Sequence, residues 1–149
     1  MRTYLYRMKK IPYQRCPYCH PLPGDEVIGF TENDKSVTIH KRDCPTAIRL
    51  ASQKGDSIVS IEFKEDSDIL YPVRIHIRAI DRYHLLSDLI DCITNKLKLS
   101  IESLHTTTTD EIVDCFINFS VHSFNELQIV ISHVNRIEGV DEVQREELK

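Results

Sequence analysis

Residues 71–80 read YPVRIHIRAI and alternate between apolar and charged side chains. Val73, Ile75 and Ile77 fall on one side of an extended chain, because successive side chains of a strand point to opposite faces. The arginines and the histidine between them fall on the other side. The stretch therefore predicts a strand with one buried face, and this strand opens the more regularly patterned half of the chain.

The hydrophobic pattern after this strand predicts a helix, two strands, a second helix and a last strand. Their expected positions are residues 85–97, 99–106, 112–121, 123–139 and 140–145. The second helix begins at the sequence SFNE, residues 123–126, which has the spacing of a capping box. The order β-α-β-β-α-β is typical of a ferredoxin-like domain, with both helices on one face of a four-stranded antiparallel sheet. We predict this domain over residues 67–149.

The first half of the chain predicts a smaller unit. Two short strands, a helix and a third strand fit residues 26–31, 36–41, 44–53 and 57–63. Residues 33–35 read NDK and form the expected hairpin turn, and Asp43 is the expected N-cap of the helix. We predict a ββαβ module over residues 13–66, preceded by an N-terminal extension over residues 1–12. The fold class of the whole chain is therefore α+β.

Charge is unevenly distributed along the chain. Residues 1–66 contain 11 Lys or Arg and 9 Asp or Glu, a net of +2, whereas residues 67–149 contain 8 and 14, a net of −6. A basic module joined to an acidic one suggests that the two have different partners. No stretch approaches the roughly 20 apolar residues of a membrane-spanning helix, and no secretory signal is recognisable. We therefore expect a cytoplasmic protein without membrane contact.

Three of the five cysteines form a metal-type constellation with a histidine. Cys16-Pro-Tyr-Cys19 is a C-x2-C pair, and His40-Lys-Arg-Asp-Cys44 is an H-x3-C pair. Zinc prefers four sulfur and nitrogen ligands in two close pairs that folding brings together. We predict a structural zinc site at these four residues. A competing ligand at His20, a redox C-x2-C motif and scattered thiols are the alternatives.

Two pairs of motifs resemble one known family. The strings CHPLPGDEVIGF and SVTIHKRDC, at residues 19–30 and 36–44, resemble the conserved-cysteine (zinc-finger or ribosome-intersubunit) module near the C-terminus of RelA/SpoT-type (p)ppGpp synthetase/hydrolases. The strings YPVRI and DRYHLLSD, at residues 71–75 and 81–88, look like the ACT domain that closes those proteins. The resemblance covers about residues 13–147, with both motifs in the family order.

The match of the cysteine motif is incomplete. Cys19, His40 and Cys44 fall on cysteine and histidine positions of the family motif. The family usually has two adjacent cysteines, but here Tyr18 occupies the earlier place and Cys16 lies two residues upstream. Zinc ligation by Cys16 therefore rests on its spacing alone.

The resemblance implies a regulatory module and no catalysis by this chain. Family members make and degrade (p)ppGpp with N-terminal synthetase and hydrolase domains, for which this chain has no room. The implied role is docking of the parent enzyme on the ribosome and control of its catalytic domains in the stringent response. The residues we expect to face rRNA phosphates are Lys41, Arg42 and Arg49.

The ACT resemblance implies an alternative function, the sensing of a small amino acid at a homodimer interface. In ACT domains that bind amino acids, the ligand lies at the loop after the first strand and at the following helix N-terminus. The matching residues here are Asp81, Tyr83, His84 and Leu85. Many ACT domains carry Gly where this chain has His84, and the imidazole would obstruct the site or alter its choice of ligand.

Overall fold

The computed structural model describes residues 2–6, 9–32 and 36–147. The chain divides into two compact units, one ending at Glu65 and the other beginning at Asp66. Among the described residues, no helix is both long enough and apolar enough to cross a membrane. Each unit is described below by itself.

The first unit is a five-stranded mixed sheet with one α-helix. Its elements are β1 (Arg2–Tyr6), β2 (Lys9–Arg15), β3 (Val27–Glu32), β4 (Ser36–Lys41), α1 (Pro45–Gln53), a 3-10 turn (Gly55–Ser57) and β5 (Ile58–Val59). The strand order is β1-β2-β4-β3-β5. β2 runs parallel to β4, with Tyr13 opposite Val37, and the other pairs are antiparallel. The parallel pairing brings the end of β2 beside the end of β4, where the predicted metal ligands lie.

The structure adds to and corrects the predicted ββαβ order. Residues 1–12, predicted as an extension, contain β1 and the start of β2. The predicted third strand at residues 57–63 is confined to Ile58 and Val59, and Ser57 belongs to the preceding 3-10 turn. The N-cap of α1 is Cys44 rather than Asp43. The predicted turn at residues 33–35 lies outside the described residues.

The first sheet has apolar side chains on both faces. Val37 and Ile39 are fully buried on one face of β4, whereas His40 points to the other face, where its ring lies 5.5 Å from that of Phe30. Close packing also explains Gly29: a Cβ there would lie 2.7 Å from a side-chain carbon of Ile61. The face that carries His40 is the one that the cysteine cluster and α1 cover.

The second unit confirms the ferredoxin-like prediction. Its elements are β6 (Tyr71–Ile80), α2 (Leu85–Asp91), a π-helical turn that continues α2 (Cys92–Lys96), β7 (Ile101–Thr109), β8 (Ile112–Val121), α3 (Phe124–Asn135) and β9 (Val140–Glu146). The four strands are antiparallel in the order β7-β8-β6-β9. The predicted alternation of apolar and polar residues in the strands places the apolar side chains on the buried face of the sheet.

The central strands β6 and β8 hold the core of the second unit. Ile75 pairs with Ile117, and both are fully buried. Burial of such a side chain contributes about 1.5–3 kcal/mol. On the opposite face, the His76 imidazole lies 2.7 Å from the Asp114 carboxylate and 3.3 Å from that of Glu146. The sheet is therefore apolar on the helix side and polar on the open side.

Candidate metal centre and ligand cavity

Four side chains of the first unit converge on one point. One ligand atom from each of Cys16, Cys19, His40 and Cys44 lies within 4.8 Å of the other three. Cys16, His40 and Cys44 are buried, and Cys19 is half-buried. The structure thus brings together the two pairs that the spacing selected. Within the part of the chain that the structure describes, this group does not include His20.

The first pair is placed by the end of β2 and the turn after it. The Cys16 backbone N–H donates to the Ile39 carbonyl at 2.8 Å, which extends the parallel pairing of β2 and β4 by one residue. The following turn carries Cys19 back toward β4, where the Lys41 backbone N–H donates to the Cys19 sulfur at 3.3 Å. The Tyr18 backbone N–H donates to the Cys16 sulfur at 3.4 Å. Backbone donors of this kind stabilise sulfur in its ionised form.

The second pair is placed by the end of β4 and the start of α1. The Cys44 backbone N–H donates to the Lys41 carbonyl at 3.0 Å, so the chain turns tightly between the two ligands. Cys44 has φ −64° and ψ 126°, the extended conformation of an N-cap, and a proline occupies the first turn of the helix. Its sulfur therefore lies at the N-terminus of α1, beside free backbone amides.

The thiols of the cluster differ in acidity. Burial is the main cause that raises the pKa of Cys19 to about 12, and the neighbouring sulfurs of Cys16 and Cys44 raise it further against the opposing Lys41 N–H. For Cys44, burial also acts to raise the pKa, but the Ala47 amide and the nearby sulfurs outweigh it and the pKa is lowered. One cluster thus contains a thiol with a lowered pKa, Cys44, beside a thiol with a raised pKa, Cys19, whose proton a bound cation would displace.

His40 supplies the clearest sign of a missing partner. Its Nδ1 atom is buried and has no hydrogen-bond partner among the described residues. Burial lowers the pKa of the imidazole, which favours the neutral form that binds metals. A buried polar atom without a partner costs about 1–3 kcal/mol. Three sulfurs and one imidazole nitrogen form a donor set that suits tetrahedral zinc, so the cluster could hold such an ion.

The remaining cysteines lie in the second unit and are isolated. Cys92 and Cys115 are buried in its core. Burial raises the pKa of both thiols, to about 11 for Cys115, while Lys96 lowers that of Cys92 in part. Protonated thiols in an apolar core behave as small hydrophobic residues.

The residues predicted to contact RNA flank the cluster on the surface. Lys41 and Arg42 lie in the short segment between His40 and Cys44, and Arg49 lies on the exposed face of α1. The Arg42 backbone N–H donates to the Glu26 carbonyl at 3.0 Å, which fixes the segment against the start of β3. The side chains of Lys41 and Arg42 therefore extend from a segment that has a cluster residue at each end.

The residues predicted to bind an amino acid lie in the second unit, at the loop between β6 and α2 and at the start of α2. A cavity of about 270 Å³ is lined there by Asp81, His84 and Leu85, together with Thr106 and Thr108 of β7. Tyr83 is 87% exposed and does not line the cavity. The structure therefore brings three of the four predicted residues to one cavity and leaves the fourth on the surface.

His84 and Arg82 shape this loop. His84 has φ 62° and ψ 12°, a left-handed conformation that favours glycine, which is the residue that many ACT domains carry there. Arg82, which the sequence analysis overlooked, donates to the carbonyls of Glu138 and Tyr83 at 2.7 Å each and to the Asp88 carboxylate at 2.8 Å. The sequence feature that could have identified Arg82 is its position between a buried strand and a helix, because an arginine there can donate to several carbonyls.

Comparisons with known proteins agree with this division into two modules. The model of the RelA/SpoT RIS domain matches residues 5–64, and that of the ACT domain matches residues 67–145. The bifunctional (p)ppGpp synthase/hydrolase RelA of Mycobacterium tuberculosis is 28% identical over 127 residues, which is 85% of this chain and 17% of that protein. The GTP pyrophosphokinase of Escherichia coli is 25% identical over 132 residues, which is 88% of this chain and 18% of that protein.

Among solved structures, the crystal structure of the ACT domain from GTP pyrophosphokinase of Chlorobium tepidum is similar with a TM-score of 0.48 and 18% identity, over 52% of this chain and 99% of that one. The chain spans less than a fifth of the length of these curated relatives. The two matched domains follow each other along the chain in the order that the motifs indicated. The chain therefore belongs to the ACT-domain family and is a regulatory RIS–ACT region of the RelA/SpoT proteins.

Proposed function

We propose that this chain is a non-catalytic regulatory region that docks a (p)ppGpp synthetase/hydrolase on the ribosome and controls its catalytic domains in the stringent response. One observation supports the docking role above others. The segment that carries Lys41 and Arg42 lies between the cluster residues His40 and Cys44. Its Lys41 N–H also contacts the Cys19 sulfur at 3.3 Å. A rigid basic segment is well suited to the phosphates of folded RNA, because little ordering is lost on binding.

A structural zinc ion at Cys16, Cys19, His40 and Cys44 is part of this proposal. When bound, zinc would cross-link the turn after β2, the end of β4 and the start of α1. Elemental analysis should find about one zinc ion per chain. Cys16→Ser should lower the zinc content severalfold, because Cys16 replaces the adjacent cysteine of the family. Cys92→Ala is the matched control and should keep its zinc; equal zinc content in Cys16→Ser and the unmodified protein would remove Cys16 from the ligand set.

The docking role is tested by removing the two charges of the segment between His40 and Cys44. Lys41→Ala/Arg42→Ala should weaken binding to ribosomes about tenfold or more, and should reduce the slope of log K against log salt by about two. Lys54→Ala/Lys64→Ala removes the same charge from exposed positions of the same unit and should have little effect. Sedimentation with purified ribosomes at several salt concentrations measures both. Equal loss in the two double variants would contradict a specific docking segment.

An amino-acid sensor is the second candidate function, and the cavity beside Asp81, His84 and Leu85 favours it. Its volume of about 270 Å³ is close to the lower limit for small-molecule sites. The proposed homodimer would form through the second unit, where β7 is an edge strand and most of its side chains are exposed. Calorimetry with millimolar leucine, isoleucine or valine should give saturable heat, and sedimentation equilibrium should show dimers. Absence of heat would contradict sensing of these amino acids.

A further inference from the structure

The proposed metal site has one cysteine that is not fully buried. Cys16 and Cys44 are 1% and 3% exposed, whereas Cys19 is only half-buried at the end of a turn. Zinc keeps bound sulfur in the thiolate form, and an accessible thiolate is the form that peroxides attack. Cys19 is therefore the point at which an oxidant would enter the cluster.

The disulfide partner of Cys19 can be inferred from the contacts that position the two neighbouring cysteines, Cys16 and Cys44. Cys16 and Cys19 share one tight turn, which the His20 N–H closes on the Cys16 carbonyl at 3.1 Å. The Cys44 sulfur is held at the N-terminus of α1, where the Ala47 amide stabilises it. A bond from Cys19 to Cys16 needs adjustment within one turn, whereas a bond to Cys44 would pull at the start of a helix.

We propose that a peroxide converts Cys16 and Cys19 into a disulfide and that this modification expels the metal; the inference rests on the zinc site proposed above. The Cys19 thiolate attacks one oxygen of hydrogen peroxide, the O–O bond breaks, and sulfenic acid forms as one hydroxide leaves. The Cys16 thiolate then attacks the Cys19 sulfur, forms the S–S bond and expels a second hydroxide. The two sulfurs lose two electrons, and the peroxide is reduced to two hydroxide ions.

Oxidation has a consequence for the basic segment. A disulfide removes two of the four ligands and leaves His40 and Cys44, a pair that is insufficient for a closed structural site. The Lys41 N–H also loses the thiolate that it contacts at 3.3 Å. The segment with Lys41 and Arg42 then no longer lies between two residues that a metal holds together. Oxidising conditions therefore weaken docking on RNA.

The experiment treats zinc-loaded protein with hydrogen peroxide, follows released zinc with a chromophoric chelator, and maps the cysteines by peptide mass. We expect release of about one zinc ion per chain, in step with loss of two hydrogen atoms from the segment that contains Cys16 and Cys19. Cys44, Cys92 and Cys115 should remain open to alkylation after denaturation. Dithiothreitol followed by zinc should restore the starting state.

The outcomes separate this inference from the zinc proposal. A chain that binds no zinc when incubated with it overturns both. A chain that binds zinc but keeps it in millimolar peroxide, or that forms a disulfide with Cys44, overturns the redox inference and leaves the zinc site standing. The double variant Cys92→Ala/Cys115→Ala is the control for the second unit, and zinc release at an unchanged rate is expected; the peptide map of the unmodified protein decides the question if that variant does not fold.

Discussion

His84 carries a conformational cost that one substitution can reveal. Its φ of 62° places a side chain with a Cβ in the left-handed region at the start of α2. The strain of about 1–2 kcal/mol exceeds the extra entropy that glycine loses on folding, about 0.5–1 kcal/mol. His84→Gly should therefore raise the free energy of unfolding by about 0.5–1 kcal/mol, measured by urea denaturation.

The matched variant is His84→Ala, which keeps the Cβ at the same φ and removes the imidazole. It should gain nothing and should lose the edge-on contact of the His84 ring with Tyr83, whose centroid lies 4.9 Å away. A gain in His84→Ala equal to that in His84→Gly would show that the imidazole, rather than the backbone conformation, is unfavourable. Both variants also enlarge the cavity that His84 lines.

Sequence reasoning at the residue scale found the members of the metal cluster but not what surrounds them. The two pairs of ligands follow from spacing, because a C-x2-C turn and an H-x3-C segment each hold two donors close together. Spacing favoured Cys16 over His20 as the fourth donor, because His20 would break the paired spacing, and the structure groups Cys16 with the other three ligands. The closure of the turn on β4, where the Lys41 N–H contacts the Cys19 sulfur, becomes visible only in the folded structure. The buried Nδ1 of His40 is likewise a property of packing.

At the scale of elements, α3 is anchored by one side chain. Ser123 is buried, and its hydroxyl accepts a hydrogen bond from the Glu126 backbone N–H at 3.2 Å. Glu126 in turn accepts from the His122 backbone N–H at 3.3 Å, so the start of the helix is bonded in both directions. Ser123→Ala should lower the free energy of unfolding by about 1 kcal/mol, within the 0.5–2 kcal/mol measured for N-caps.

Ser132→Ala in the same helix is the control, because Ser132 is exposed and lies in the helix interior. Alanine is the better helix former there, so its effect should be neutral or slightly stabilising. Chemical denaturation followed by circular dichroism gives both values. Equal losses in the two variants would mean that the hydroxyl of Ser123 does not cap the helix.

The elements that sequence reasoning found are those with a clear hydrophobic period. β6 and β8 alternate because one face is buried and the other is polar, and α3 has both a cap and an apolar stripe. β1 and β2 were missed because the sequence KKIPYQR of residues 9–15 shows no such alternation. In addition, β2 is held in the sheet by its parallel pairing with β4. A contact between strands 24 residues apart in sequence, Tyr13 with Val37, leaves no local signal in either strand.

At the scale of the whole molecule, the two units depend on different sources of stability. The second unit buries apolar residues on its two central strands, β6 and β8, and on its two helices, whereas a core cluster of the first unit consists of small or sulfur-bearing side chains around Phe30. Small cores of this kind need a staple, and a metal that binds only the folded state supplies one. Metal removal should therefore act on one unit and spare the other.

We predict that excess chelator will lower hydrogen-exchange protection in residues 13–64 at least tenfold, about 1.4 kcal/mol of local stability, and leave residues 71–146 unchanged. Mass spectrometry of peptic fragments resolves the two regions in one sample of the intact chain. Added zinc should restore the original protection, which separates metal loss from damage to the protein. An equal fall in both regions would mean that the units unfold as one, and no fall in the first would mean that its core is stable without the ion.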